Sequence, residues 1–375
     1  MSHADYRTKK RKLGHGGADH LDTSKPSATF TPDQGGRDWT ISVAIPGSII
    51  ADHRTMDQRM TSPGRIARAL AVFSIDEVVI YNDMPSPSHS APDAQTSSSS
   101  SSFYRTQRPS HARPRPGQRQ DDSDSSFTAD VDPCHFLAHV LSYLEAPPFM
   151  RKTLFPIHPN LRLAGLLPSL DMPHHPNPID AAIPYREGVT LDRPPPSAGA
   201  ACLVDIGAKA PVSLPDAIPP NTRVTLHFPS GSFEQGPAEA VHPAAPREEG
   251  GYYWGYAVRR AASLSAVFEE SPYEGGYDVS IGTSERGESV SRAFPRHDRK
   301  LPFKHLLIVF GGPRGIEFAT ANDPQLADMG VGAASTRELF DHWIDVLPNQ
   351  GSRTIRTDEA VFIALTALRR LWDLS

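Results

Sequence analysis

Leu306-Leu307-Ile308-Val309-Phe310-Gly311-Gly312-Pro313-Arg314-Gly315 is an unbroken apolar run that stops at two glycines and a proline. Strict alternation would mark a strand with one wet face. A continuous run marks a strand covered on both faces, the habit of parallel strands in α/β proteins. The glycine-rich residues behind it form the turn at the carboxyl end of that strand. In open α/β sheets, ligands bind at those ends.

Two other stretches repeat the arrangement. Tyr277-Asp278-Val279-Ser280-Ile281 reads as a strand and runs into Ile281-Gly282-Thr283-Ser284-Glu285-Arg286-Gly287, which reads as a polar loop. Nearer the end, Asn349-Gln350-Gly351-Ser352-Arg353-Thr354-Ile355-Arg356-Thr357-Asp358-Glu359-Ala360 feeds a helical pattern carried by Val361, Phe362, Leu365, Leu368 and Leu371. Free N–H groups and the helix dipole point outward at such a start. Asp358 and Glu359 suit the dipole, and Thr357 is placed to cap it. One such loop is ordinarily a capped surface helix. Three in the final third of the chain point to a pocket for a polar small molecule or phosphate. None spells GxGxxG or GxxxxGK[ST], so an NAD or ATP fold is not indicated.

The chain has 375 residues, which bounds it at one to three domains. Hydrophobic content of 38% beside 37 prolines implies that part of it is disordered. Cys134 and Cys202 cannot build a four-ligand zinc site and lack a redox spacing, so they read as buried thiols in a reducing compartment. No apolar run has the length of a membrane span and the start has no signal-peptide core, so a soluble intracellular protein without membrane contact is expected. The formal net charge of −5 does not advertise nucleic-acid binding, although a basic face depends on distribution rather than on the sum.

Residues 1–36 read as a disordered tail containing Lys9-Lys10-Arg11-Lys12, with Arg7 nearby. This is either a nuclear-localisation or RNA-phosphate signal or a solvated charge run. Strands are expected over Trp39–Ile45 and Ile75–Tyr81, with a helix over Arg54–Phe73 between them. Residues 84–130 are Ser-, Pro- and Gln-rich, with the run Ser97–Ser102 and a basic piece over Arg105–Arg119, and read as a disordered insertion. Pro133 opens a helix carrying Phe136, Leu137, Val140, Leu141 and Leu144, and Pro147-Pro148 stop it. Between residues 174 and 250 short strands, Ala201–Ile206 and Thr222–Phe228, alternate with Pro- and Gly-containing turns, the mark of a small inserted β domain. The main α/β domain is therefore split over residues 37–83, 131–173 and 251–375. Its last part is expected to contain a strand over Tyr252–Val258, a loose segment over 320–336 and a helix over Thr357–Leu371. His174-His175 reads as a plain loop, and the aromatics Tyr252, Tyr253, Trp254 and Tyr256 as core rather than as a base-stacking surface.

These loops, in this order, resemble the eukaryotic–archaeal branch of the SPOUT RNA methyltransferases. Further stretches agree: Thr40-Ile41-Ser42-Val43-Ala44-Ile45-Pro46-Gly47-Ser48, Gly64-Arg65-Ile66-Ala67-Arg68-Ala69, Ser74-Ile75-Asp76-Glu77-Val78-Val79-Ile80-Tyr81, Leu154-Phe155-Pro156-Ile157-His158-Pro159, Gly165-Leu166-Leu167-Pro168, Tyr185-Arg186-Glu187-Gly188 and Gly251-Tyr252-Tyr253-Trp254-Gly255-Tyr256. The resemblance covers about residues 38–372. It implies an α/β fold with a SPOUT-type parallel sheet and a C-terminal trefoil knot, although chain-threading rules count against knots in general. It also implies that residues 174–250 form an OB-like barrel, a homodimer, and S-adenosyl-L-methionine as cofactor.

The donor-binding residues implied by the resemblance are Gly282, Thr283, Ser284, Arg286, Gly287, Phe310, Gly311, Gly312, Asn349, Gln350, Gly351, Ser352, Arg353, Thr354 and Ile355. Residues Thr357–Glu359 are left as a helix cap. Arg68 resembles the family's motif-one arginine, which orients or polarises the target nucleotide. Glu285 is the candidate proton acceptor or partner of the donor's amino group, and Arg286 and Arg353 suit phosphate or the donor carboxylate. Without the resemblance Arg68 is an ordinary helix arginine, and Glu285 with Arg286 is a surface ion pair of little worth. The expected activity is methylation of a base in ribosomal RNA, uridine N3 by preference, in the nucleus or nucleolus and without a metal. The alternative is an RNA-binding or spindle-associated scaffold that keeps the donor pocket without turnover.

Overall fold

The computed structural model describes residues 35–51, 53–84, 126–176, 183–195, 199–231, 237–295 and 300–373. The basic cluster at Lys9–Lys12 and the Ser- and Arg-rich runs of the insertion lie outside the described residues.

Strand β1 (Thr40–Pro46) leads through α1 (Ser48–Ala51) and α2 (Met56–Val72) to β2 (Glu77–Tyr81). Helices α3 (Pro133–Glu145) and α4 (Arg151–Leu154) follow. A second sheet is built next from β3 (Tyr185–Thr190), β4 (Cys202–Asp205), β5 (Val212–Leu214), β6 (Arg223–His227) and β7 (Glu239–Val241). The chain returns through α5 (Ala245–Glu248), β8 (Ala257–Ala261), α6 (Leu264–Glu269), β9 (Val279–Ser289), α7 (Val290–Ala293) and β10 (His305–Val309). It ends with α8 (Gly315–Asn322), α9 (Pro324–Asp328), β11 (His342–Asp345) and α10 (Thr357–Leu368).

The first sheet has the order β11-β9-β10-β1-β2-β8, and its pairings are all parallel. β1, β2 and β10 are buried along their whole length, as an unbroken apolar run requires. One face is covered by α2, α3 and α10 in a core that includes Ile66, Leu70, Phe136, Leu141 and Leu365; a second cluster with Leu264, Val267, Ile316 and Ala319 covers the other. Helix α2 passes through Pro63-Gly64. A Cβ on Gly64 would stand 2.8 Å from Pro168 Cδ, so the missing side chain is what lets the 160s loop lie close. The second sheet is antiparallel, in the order β5-β4-β3-β6-β7, with its own small core of Val204, Ile206, Leu214, Leu226 and Phe228.

Several expectations change. Residues 126–130, assigned from sequence to the insertion, are packed: Ala129 is fully buried and Phe127 meets Phe136 edge-on at 5.5 Å. Tyr252–Tyr256 is not strand. Gly251 and Gly255 take φ of +71° and +88°, outside the β region, and β8 starts only at Ala257. Tyr253 and Tyr256 are nonetheless core, their hydroxyls donating to Leu70 O at 3.4 Å and Leu141 O at 3.0 Å. The segment 320–336 is more ordered than its composition implies, because Asp323 caps α9 by accepting from Gln325 and Leu326 N–H groups. His174 and His175 are buried rather than plain loop, and both present Nε2 to Glu145 O. Cys134 and Cys202 are buried free thiols, and burial pushes Cys134 up to about 12.

Candidate functional site

β9 does not end at Ile281. Ile281 and Gly282 pair with His342 and Trp343, then Glu288 and Ser289 resume pairing with Ile344 and Asp345. Residues 283–287 are thus looped out of an otherwise continuous strand as one large bulge. Four-residue β11, too short to announce itself in the sequence, is the partner that makes this segment a strand. Gly282 and Gly287 serve this pairing. A Cβ on Gly282 would stand 2.5 Å from the Trp343 ring, and one on Gly287 would stand 2.4 Å from Ile344 C.

The bulge, the turn after β10, the segment from β11 to α10 and the α1–α2 connection enclose a cavity of about 780 Å3 at the carboxyl ends of the strands. That is ample for a nucleoside-sized ligand. Three hydroxyls from three elements fix its central turn. Thr283 Oγ1 donates to Val309 O at 2.9 Å, Tyr81 Oη to Phe310 O at 2.6 Å and Thr357 Oγ1 to Gly311 O at 3.0 Å. Behind the turn, Asp83 accepts from Ser48 N at 3.2 Å and Ser48 Oγ at 2.6 Å. Burial pushes the Asp83 carboxyl up against these two hydrogen bonds and the nearby Arg314, which pull it down. A Cβ on Gly311 would stand 2.6 Å from the backbone of Gly315 and Ile316, so only glycine fits where this turn folds on itself.

Of the residues expected from sequence, Thr283, Ser284, Glu285, Arg286, Phe310, Gly311, Gly312, Gln350, Arg353, Thr354 and Ile355 come together around this cavity. Gly282, Gly287, Asn349, Gly351 and Ser352 do not line it. Arg68 does not line it either: its Nη1 donates to Leu170 O at 2.8 Å and Ser169 O at 3.3 Å, tying α2 to the 160s loop. Glu285 and Arg286 are not paired; Arg286 reaches Glu317 at 3.7 Å. Thr357 is the first residue of α10 rather than its cap, and with Asp358 it belongs to the cavity wall. The sequence reading also missed His53 and Arg54 of the α1–α2 connection and Asp345, Val346 and Leu347 at and just after the end of β11. Pro46-Gly47-Ser48 after β1 carries the same strand-then-glycine signature as the other loops and could have drawn attention to the first group. Nothing comparable marks the second.

The inner lining of the cavity is of mixed polarity: Phe310 and Asp358 are buried, and Gly311, Ile355 and Thr357 half-buried. Its mouth is exposed and carries arginines. Arg314 lies over the Phe318 ring at 3.4 Å, while Asp358 is engaged by Arg65 at 3.2 Å. Among the described residues no group of three or more His, Cys, Asp or Glu side chains is arranged to hold a metal, and no helix is long and apolar enough to cross a membrane.

The fold is a parallel α/β sheet with a glycine-turn cavity at its strand ends, the place where open α/β sheets bind their ligands. Comparison with known proteins narrows the class. The family model "Putative RNA methyltransferase" matches residues 40–368. The chain is 38% identical to the 28S rRNA (uridine-N(3))-methyltransferase of Homo sapiens over 344 residues, covering 89% of this chain and 79% of that protein. It is equally similar to the proteins of that name from Mus musculus (89% and 77% covered) and Drosophila melanogaster (88% and 62% covered). The chain belongs to this family of RNA methyltransferases.

Proposed function

We propose that the protein transfers a methyl group from S-adenosyl-L-methionine to uridine N3 in ribosomal RNA. The observation that carries this reading is the cavity itself, walled by the bulge in β9, the turn after β10 and the segment from β11 to α10. Its features suit the donor. The close turn at Gly311 offers backbone groups to an adenine edge, with Phe310 and Ile355 as apolar cover. Asp345 is a carboxylate for the donor's amino group. The relatives' names supply the acceptor atom.

A bound donor would supply a methyl group on a sulfonium, a carbon open to in-line displacement by the ring nitrogen with the thioether as leaving group. Holding both reactants in that line is where this chain contributes most of the rate, through the turn fixed by Thr283, Tyr81 and Thr357. Uridine N3 must give up its proton, and Glu285, exposed on the bulge, is the general base assigned here.

The finer class follows the sequence resemblance: a SPOUT enzyme, knotted at its C-terminus and dimeric. The second sheet supports an OB-like assignment for residues 174–250, since its edge strands β5 and β7 are the two a barrel would join. The Lys9–Lys12 cluster supports a nuclear location. Isothermal calorimetry with S-adenosylhomocysteine tests the donor site. One-site binding is expected, and its absence from folded protein would overturn the enzyme reading.

A further inference from the structure

The cavity holds more cationic side chains than a methyl donor can use. S-adenosylmethionine carries one carboxylate, an amino group and a sulfonium, so a single arginine satisfies its only anion. Five arginines line this cavity: Arg54, Arg286, Arg314, Arg353 and Arg356. Arg286 is turned to Glu317 and Arg314 to the Phe318 ring. Among the described residues, the guanidinium groups of Arg54, Arg353 and Arg356 have no carboxylate partner, and all three residues are exposed. They come from two separate segments, the α1–α2 connection and the loop before α10. The first is anchored where it matters: Arg59 Nε donates to His53 O at 2.9 Å and the same guanidinium meets Asp130 at 2.7 Å. The chain as a whole is acidic, with a formal net charge of −5, so this concentration is local and not a reflection of general basicity.

We propose that Arg54, Arg353 and Arg356 form a phosphodiester-binding rim that seats the RNA backbone on either side of the target base. The inference rests on the donor-site reading above and divides that site in two: interior for the donor, rim for the RNA. Exposed guanidiniums with no carboxylate to satisfy present forked donors that match phosphate oxygens. A base can reach a methyl group held inside only by crossing this mouth, so its flanking phosphates pass the rim. Arg353, which the sequence left between donor carboxylate and phosphate, is assigned to phosphate.

The test measures fluorescence anisotropy of a labelled oligouridylate over a salt series, with wild type, Arg54→Gln, Arg353→Gln, the double variant and Arg54→Lys. Calorimetry with S-adenosylhomocysteine is run in parallel. Each glutamine is expected to weaken RNA binding and to lower the slope of log affinity against log salt by about 0.7, the value for one phosphate contact on a single strand. Arg54→Lys is expected to keep the slope, and donor affinity is expected to stay at the wild-type value throughout. An unchanged slope in the double variant, with donor binding intact, overturns the rim. So does a loss of donor affinity with RNA binding unaltered, which would return Arg353 to the donor carboxylate. Failure of wild type to bind S-adenosylhomocysteine instead counts against the donor site, and the salt slopes still report on the rim.

Discussion

Two glycines that look alike in sequence have opposite structural weight. Gly311 sits where a Cβ would press on the backbone of Gly315 and Ile316 at 2.6 Å, whereas a Cβ on Gly351 would meet nothing within 4 Å. Backbone cannot yield as a flexible side-chain end can. Gly311→Ala is therefore expected to cost about 1–3 kcal/mol of stability, as overpacking does, and to weaken S-adenosylhomocysteine binding. Gly351→Ala is expected to leave both at the wild-type value. Urea midpoints and calorimetry on the two variants decide the matter, and equal effects would refute the account of the turn. Arg68 makes the same point about motif and place. Its sequence context resembles a family motif, yet its guanidinium closes onto the carbonyls of Ser169 and Leu170. Nothing in the sequence signals that the 160s loop lies over it.

At the scale of elements, strands that are buried on both faces were legible and strands defined by a partner were not. β10 shows an unbroken apolar run from Leu306, β2 one from Val78, and β1 is apolar but for Thr40 and Ser42; their placement from sequence differs from the structure by a residue or two. β11 is four residues of mixed polarity, and without it residues 283–287 look like a loop rather than a bulge. The Tyr252–Tyr256 stretch has strand-forming aromatics, but Gly251 and Gly255 turn it into an irregular plug. Gly255 is required because a Cβ there would strike Glu145 Oε1 at 2.4 Å. That carboxylate is the hub joining α3 to the second sheet. Arg223 grips it at 2.6 and 3.0 Å, His174 Nε2 lies 2.9 Å away, and Arg223 also holds Glu187, which accepts from Trp254 Nε1 at 2.7 Å. Burial would raise the Glu145 carboxyl, but Arg223 and His174 outweigh it and hold it well below the usual range. Burial and the neighbouring His174 lower His175 to about 3. Both groups bind fewer protons folded than unfolded, so both destabilise the protein in acid. For His175 the loss begins as pH falls below its unfolded value near 6.5, amounting to about 2 kcal/mol by pH 5. Glu145 adds to it only below its unfolded value near 4.3. Urea midpoints measured from pH 7 to 5 are expected to fall in wild type and to fall less in His175→Gln. A flat wild-type profile would remove His175 from this account.

For the whole molecule, sequence and structure agree that the glycine loops gather at the strand ends and divide on how the wall is built. The glycine turns pointed to a pocket at the strand ends, and eleven of the residues named from sequence, from Thr283 to Ile355, do surround one cavity. Arg54 was passed over although the Pro46-Gly47-Ser48 turn before it carries the strand-then-glycine signature, because its place on the wall depends on a segment distant in the chain. Family membership supplies the RNA methyltransferase activity, and the proposal of uridine N3 as acceptor rests on the names of the relatives. The most direct measurement incubates purified protein with S-adenosylmethionine and unmodified ribosomal RNA, then analyses the nucleosides by mass spectrometry. The account predicts 3-methyluridine with wild type and a strong reduction with Gly311→Ala. Donor binding without any methylated nucleoside would contradict it and leave a scaffold that kept its pocket.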